Sequence, residues 1–109
     1  MKWTPAEATL RIRAYGTHDR LSLLLTNHVR ERLEERDLQS GDILHLLKFG
    51  HVLKEPKPAT QRNLYKYELE GTTPNSFSRT LVAVVIPHPT DPSVKVVSLM
   101  WKDERSYST

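Results

Sequence analysis

The sequence predicts an α+β fold, with two to three N-terminal helices packed on a mainly antiparallel sheet of four to five strands. Three observations lead there. Residues 1–50 hold capped, charged segments with apolar positions at helical period. From His51 onward the period changes to two, and β-branched runs are broken by proline-rich turns. The links between those runs are short, which favours antiparallel pairing, and the apolar helix faces need one face of that sheet to bury against.

The first helix is expected from Pro5 to Gly16. Thr4 is its N-cap, Pro5 occupies the first helical position, Glu7 completes a capping box, and Trp3 is placed to staple against Ala8. Leu10, Ile12 and Ala14 alternate with Arg11 and Arg13 in a competing strand pattern, and the caps decide for helix. His18-Asp19 reads as a turn and Leu21 to Leu25 as a short strand leading into the capping pair Thr26-Asn27. A charged helix follows, to Arg36 or Asp37, with Val29 and Leu33 inward. Gln39 or Ser40 starts the next helix, Asp42 lies in its first turn, Ile43, Leu44, Leu46 and Leu47 make its apolar face, and Gly50 ends it.

Beyond Gly50, His51 to Glu55 is expected as a strand, and the proline-rich Pro56 to Gln61 as a stretch unable to pair regularly. In Asn63 to Leu69, Tyr65, Tyr67 and Leu69 share one face, with Lys66 and Glu68 on the other. Thr80 to Ile86 reads as a central strand buried on both faces. In the last strand, Val94 to Trp101, strict alternation sets Val94, Val96, Ser98 and Met100 against Lys95, Val97, Leu99 and Trp101. The domain is expected to span residues 1–103, with a polar tail at 104–109, and the polar stretch from Lys102 to Thr109 is expected to fray.

Composition narrows the chemistry. The 109 residues contain no cysteine, which excludes disulfides, thiol catalysis and thiolate metal sites. No apolar run approaches the ~18 residues of a membrane span, and the N-terminus lacks a signal-peptide core, so a cytoplasmic protein without a membrane partner is expected. The net charge of +3 mildly favours an anionic partner. No two histidines stand three or four residues apart, there is no glycine-rich phosphate loop, and no Ser-His-Asp arrangement is legible. Neither a metal nor a cofactor is therefore expected.

The densest chemistry lies in Asn27 to Arg36, where His28, Arg32 and Arg36 form one drifting stripe. Histidine can act as acid or base, and arginine is a bidentate phosphate clamp. His28, Arg32 and Tyr65 are the catalytic candidates. Arg30, Arg36, Lys66, Tyr67 and Trp101 are the nucleic-acid-binding candidates, with the tyrosines offering stacking surfaces. The alternative is structural: His28 fixes the strand-to-helix corner, the arginines pair with Glu31, Glu35 or a sheet carboxylate, and the tyrosines are half-buried sheet residues.

The runs His28-Val29-Arg30-Glu31-Arg32-Leu33-Glu34-Glu35-Arg36 and Asp42-Ile43-Leu44-His45-Leu46-Leu47-Lys48-Phe49-Gly50-His51-Val52-Leu53 resemble a bacterial family labelled a domain of unknown function. That family is similar to the RelE/ParE superfold, near the BrnT and MqsR toxins, and the resemblance covers roughly residues 5–103. It implies a RelE-like fold and a small toxin of a toxin–antitoxin pair, acting as a metal-free endoribonuclease or a ribosome-associated RNA-binding protein. The implied partners are RNA or the ribosome and a small antitoxin, with the chain a monomer or homodimer. His28, Arg32, Arg36 and Gly50 match the family pattern, and Trp101 stands where an aromatic ends the last strand. Relatives often carry a histidine at the start of the central strand, where this chain has Thr80-Leu81-Val82. This departure supports a second reading, a non-catalytic protein- or nucleic-acid-binding module that keeps the fold without the chemistry.

Overall fold

Local capping fixes the helix starts. In the computed structural model, which describes residues 2–107, the first helix, α1, spans Pro5–Gly16, and the Glu7 N–H donates to Thr4 Oγ1 at 3.2 Å. Strand β1 (Ser22–Leu25) runs into α2 (Asn27–Glu35), where the Thr26 hydroxyl accepts the Val29 N–H at 3.3 Å. Helix α3 (Ser40–Phe49) follows and stops at Gly50. Five strands come next: β2 (His51–Val52), β3 (Lys57–Pro58), β4 (Tyr65–Gly71), β5 (Leu81–Pro87) and β6 (Ser93–Trp101). A short helix, α4 (Lys102–Tyr107), closes the described chain.

The strands form one six-stranded sheet in the order β1-β6-β5-β4-β2, with β3 also paired to β4. All pairings but one are antiparallel; β1 lies parallel to β6, with Leu25 opposite Val96. The α+β class holds, with helices against one face of a mostly antiparallel sheet. The short prolyl segment does pair: Lys57 and Pro58 face Lys66 and Tyr65. Two residues on a sheet edge tolerate proline, since the ring's missing N–H can face solvent. The strand expected at His51 to Glu55 is shorter and ends at Val52. The segment from Lys102, expected to fray, is instead helical to Tyr107, and its residues 108–109 lie outside the described residues.

Strict alternation fails in β6. Val84 pairs with Ser98 but Val85 with Val96, so Val97 is an extra residue and the strand bulges there. The bulge inverts the phase. Val94, Val96, Leu99 and Trp101 face the helices and are buried, while Ser98 and Met100 turn to the other side. The core joins these residues to Ile12 of α1, Val29 and Leu33 of α2, and Ile43, Leu46 and Leu47 of α3. Each such side chain contributes on the order of 2 kcal/mol through burial. Residues Leu81 to Ala83 of the central strand are fully covered, but Val84 and Ile86 are only half-buried, so one sheet face is partly open.

Two polar anchors tie the layers together. The Thr9 hydroxyl accepts the Val52 N–H at 2.9 Å and donates to Pro5 O at 2.9 Å, joining α1 to β2. The buried Asp42 carboxylate accepts from the Gln39 N–H at 2.8 Å, the Asn75 N–H at 3.0 Å and the Asn75 side-chain amide at 3.0 Å. It therefore caps α3 and holds the β4–β5 loop at once. Burial works to raise the Asp42 pKa, but the hydrogen bonds from Asn75 and Gln39 outweigh it and the net shift is downward. A depressed folded-state value means stabilisation that is present above the unfolded value of about 3.9 and is lost as pH falls through the folded one.

Asp42→Ala leaves those N–H groups without their acceptor, so it is expected to lower unfolding free energy by about 1–3 kcal/mol at pH 7. Urea melts at several pH values should also show a shallower acid loss of stability in the variant than in the parent. At Gly50 an added Cβ would lie 2.6 Å from Leu46 O and 3.1 Å from Glu70 O. Gly50→Ala is expected to cost about 1–3 kcal/mol in the same assay, because backbone bounds the space on both sides.

Candidate functional site

The placement of α2 follows from the short length of β1. Parallel pairing ends at Leu25 and Val96, and the chain then turns into α2 at Thr26, whose N–H donates to Val96 O at 3.3 Å. Beyond that point α2 flanks β6 where a longer strand would have continued. Val29 and Leu33 pack inward, so the neighbouring stripe of His28, Arg32 and Arg36 lies along this border. Across from it run Ser98, Leu99 and Met100, and between them is an open cleft of about 300 Å³ that Glu104 closes at one end. The β6 bulge matters here, because it is what turns Ser98 and Met100 away from the core.

The three basic residues are held differently. Arg36 is fixed: its Nη2 donates to Glu104 Oε1 at 2.7 Å and Oε2 at 2.8 Å, and its Nε donates to Oε1 at 3.2 Å. Its side chain is only 11% exposed. The hydrogen bond from Arg36 holds the Glu104 carboxyl below its usual range, and the Trp101 N–H adds to this at 3.3 Å. Arg32 is half-exposed, and its contact with Glu35 is long, at 3.4 Å. The exposed His28 ring has no hydrogen-bond or ion-pair partner among the described residues. The cleft thus offers one free imidazole, one loosely held guanidinium and one guanidinium already matched to a carboxylate. That carboxylate occupies Arg36 with the two-oxygen geometry a phosphate would use.

The other sequence candidates lie elsewhere. Arg30 donates from Nε to Leu25 O at 3.3 Å and is not part of the cleft. Tyr65 begins β4 beside Trp3, Pro87 and Pro89, toward the end of the sheet where Pro87 pairs with Val94, away from Ser98 to Met100. Tyr67 is 1% exposed, stacks on Trp3 at 5.7 Å between centroids, and accepts the Trp3 N–H at 2.9 Å. Burial pushes its phenol pKa up. Lys66 lies on the open sheet face. Trp101 is buried and covered by the Arg79 guanidinium, 4.2 Å from the ring centroid. Neither Tyr67 nor Trp101 has a free face for a nucleobase. Among the described residues no group of three or more His, Asp or Glu side chains is placed to hold a metal ion, and no helix is long and apolar enough to cross a membrane.

Ser98 and Glu104 belong to the site and were not legible as such. Alternation assigns Ser98 to the same side as Val94, and only the bulge moves it. Glu104 sits in a polar stretch with no pattern to single it out. Phe77 is 88% exposed on the β4–β5 loop with φ 51°, next to Ser78 at φ 69°.

Residues 25–101 match the family described as "Domain of unknown function (DUF4258)". The match runs from the last residue of β1 to the end of β6 and so includes α2 and the whole β6 side of the cleft. No curated protein and no solved structure matches the chain.

Glu104→Gln removes the charge that neutralises Arg36 and is expected to raise the affinity for inorganic phosphate roughly fivefold, as an exposed guanidinium–anion pair would. Phosphorus NMR titration reads this directly. Equal affinity in parent and variant would show that the cleft does not receive the anion.

Proposed function

We propose that this chain, which belongs to the DUF4258 family, is an RNA-directed protein of the RelE/BrnT toxin type whose α2–β6 cleft receives a phosphodiester. The observation that carries this reading is the convergence of His28, Arg32 and Arg36 on one cleft of about 300 Å³ that is open to solvent. Arginine pairs match phosphate oxygens bidentately, and a free imidazole beside them can move a proton. In the proposed reaction the unpartnered His28 ring takes the proton of a ribose 2′-hydroxyl. The 2′-oxygen attacks phosphorus, the bond to the 5′-oxygen breaks, and that oxygen leaves with a proton from solvent water. The products are a 2′,3′-cyclic phosphate and a 5′-hydroxyl. Arg32 meets the charge that builds on the non-bridging oxygens. Arg36, held by Glu104, sets the depth of the cleft. A small antitoxin that covers the cleft, and action on the ribosome, belong to the same reading. Tyr65 has no part in this scheme, because it stands at the other end of the sheet.

One observation favours a second reading, a binding module without chemistry. Among the described residues the cleft holds a single imidazole and no second acid or base besides the carboxylate locked on Arg36. Such a site can bind a phosphodiester and leave it intact.

Incubation with a fluorescent oligoribonucleotide in the presence of EDTA separates the two. The first reading expects 2′,3′-cyclic phosphate ends, a loss of at least ~100-fold in rate for His28→Ala, the usual scale for a general base, and a comparable loss for Arg32→Ala. Binding with no cleavage, weakened by Arg32→Ala and not by His28→Ala, selects the module. Absence of both binding and cleavage, with isolated RNA and with ribosomes, contradicts both.

A further inference from the structure

The sheet face away from the helices carries a row of side chains set by strand register. Leu24 of β1 lies opposite Lys95 of β6, and Lys95 lies opposite Ile86 of β5. Continuing the β4–β5 register from Tyr67 and Val85 sets Lys66 beside Ile86, and Lys57 of β3 lies opposite Lys66. The order across the face is therefore Leu24, Lys95, Ile86, Lys66, Lys57. With strands about 4.8 Å apart, the row is roughly 19 Å long.

Three features of this row are unusual for an idle surface. Lysines directly opposite one another across an antiparallel pair repel, yet Lys57 and Lys66 are so placed. Among the described residues Lys57, Lys66 and Lys95 have no ion-pair or hydrogen-bond partner. Two carboxylates, Glu55 and Glu68, share a recess with Lys57 and Lys66, and Glu68 is engaged by Lys54 at 3.9 Å. Leu24, Lys95, Ile86 and Lys66 of the row also floor a groove of about 490 Å³, in which Ile86, Val97 and the 55% exposed Leu24 stay in contact with solvent. The face is thus cationic and apolar in alternation.

We infer that this open face is a docking surface for a protein segment that presents apolar side chains between carboxylates. Charge complementarity carries the inference: the Lys95 and Lys66 ammonium groups flank the apolar Ile86, with Lys57 beyond Lys66. Nucleic acid fits the face poorly. Single strands are held by bases stacking on aromatic rings, and among the described residues the groove is lined by no phenylalanine, tyrosine or tryptophan, its one ring being His88, held at Nδ1 by the Thr90 and Asp91 N–H groups. The length of the row matches about six residues of extended chain at 3.3 Å each. In such a segment every second residue, ~6.6 Å from the next, faces the sheet, so an apolar group over Ile86 sets its two flanking carboxylates slightly beyond the strands of Lys95 and Lys66, within reach of their long side chains. The docking surface is separate from the α2–β6 cleft and does not depend on what the cleft binds.

The test uses the full chain and a fluorescein-labelled peptide of repeating Glu-Ser-Leu-Ser, with Gln-for-Glu and Ser-for-Leu versions as controls. Fluorescence anisotropy should show binding of the parent peptide that weakens with added salt and weakens again in each control. The double variant Lys66→Glu, Lys95→Glu should lose at least ~10-fold in affinity, as expected when attraction across an interface becomes repulsion. Amide NMR shifts on peptide addition should map to β5 and β6 on the open face, and the thermal melt of the variant confirms that it is folded. Ile86→Asp provides a second variant that removes the apolar floor. Unchanged affinity in the folded variants, no binding of the parent peptide, or a uridine oligonucleotide that outcompetes the peptide through the same lysines would each overturn the inference.

Discussion

The early end of the β1–β6 pairing is the constraint on which the rest of the molecule depends. Four residues of β1 pair with β6 in parallel, and Thr26 then diverts the chain into a helix. Had the strand continued, Ser98 to Trp101 would have met another backbone. Instead they meet the flank of α2, which must lie there because Val29 and Leu33 need the core. An amphipathic helix beside a sheet edge leaves a groove where their curvatures diverge, and the side chains next to the buried stripe line it. Here those side chains are His28, Arg32 and Arg36.

Both walls of the groove are braced from a distance. On the sheet side, the bulge at Val97 gives β6 two phases, one that buries Val94 and Val96 and another that buries Leu99 and Trp101. On the helix side, Arg36 is bound by Glu104 of α4, and the adjacent Asp103 binds Arg79 at 2.7 Å, with Arg79 laid over Trp101. The hydrogen bonds from Arg79 hold the Asp103 carboxyl below its usual range, and those from Arg36 do the same for Glu104. Two consecutive carboxylates thus tie the end of the sheet to α2 and to the β4–β5 loop, and Asp42 holds that loop from the α3 side. Apart from Arg36, the charged groups of these pairs are well exposed, so their effect lies in geometry more than in energy.

What the sequence revealed depended on whether a signal was local. Thr4, Pro5 and Thr26 cap by contacts within one turn, so α1 and α2 begin where composition places them. The stripe of His28, Arg32 and Arg36 follows from helical period alone. Tyr67 and Trp101 show the opposite case. Each is an aromatic on a strand, and only the tertiary contacts with Trp3 and Arg79 reveal that one is buried and the other covered. The bulge at Val97 leaves no mark in a strand of valines, because Val97 suits either face. The parallel β1–β6 pair joins segments about 70 residues apart in the chain, and hydrophobic pattern carries no information about such partners. Glu104 acquires its role solely by reaching Arg36.

Two distinct surfaces therefore lie on one small sheet. One is a cleft at the edge, lined by a histidine and arginines from a single helix. The other is the open face, where lysines alternate with apolar side chains. The central claim is that a phosphodiester enters the first. The most direct measurement is the NMR titration of the full chain with a 2′-O-methyl diuridine, which cannot be cleaved. The account predicts shifts of the His28 imidazole, the Arg32 guanidinium and the Ser98 and Met100 amides, with the open-face lysines unmoved. Shifts confined to Lys66 and Lys95, or no shift at His28 and Arg32 at saturation, would contradict it.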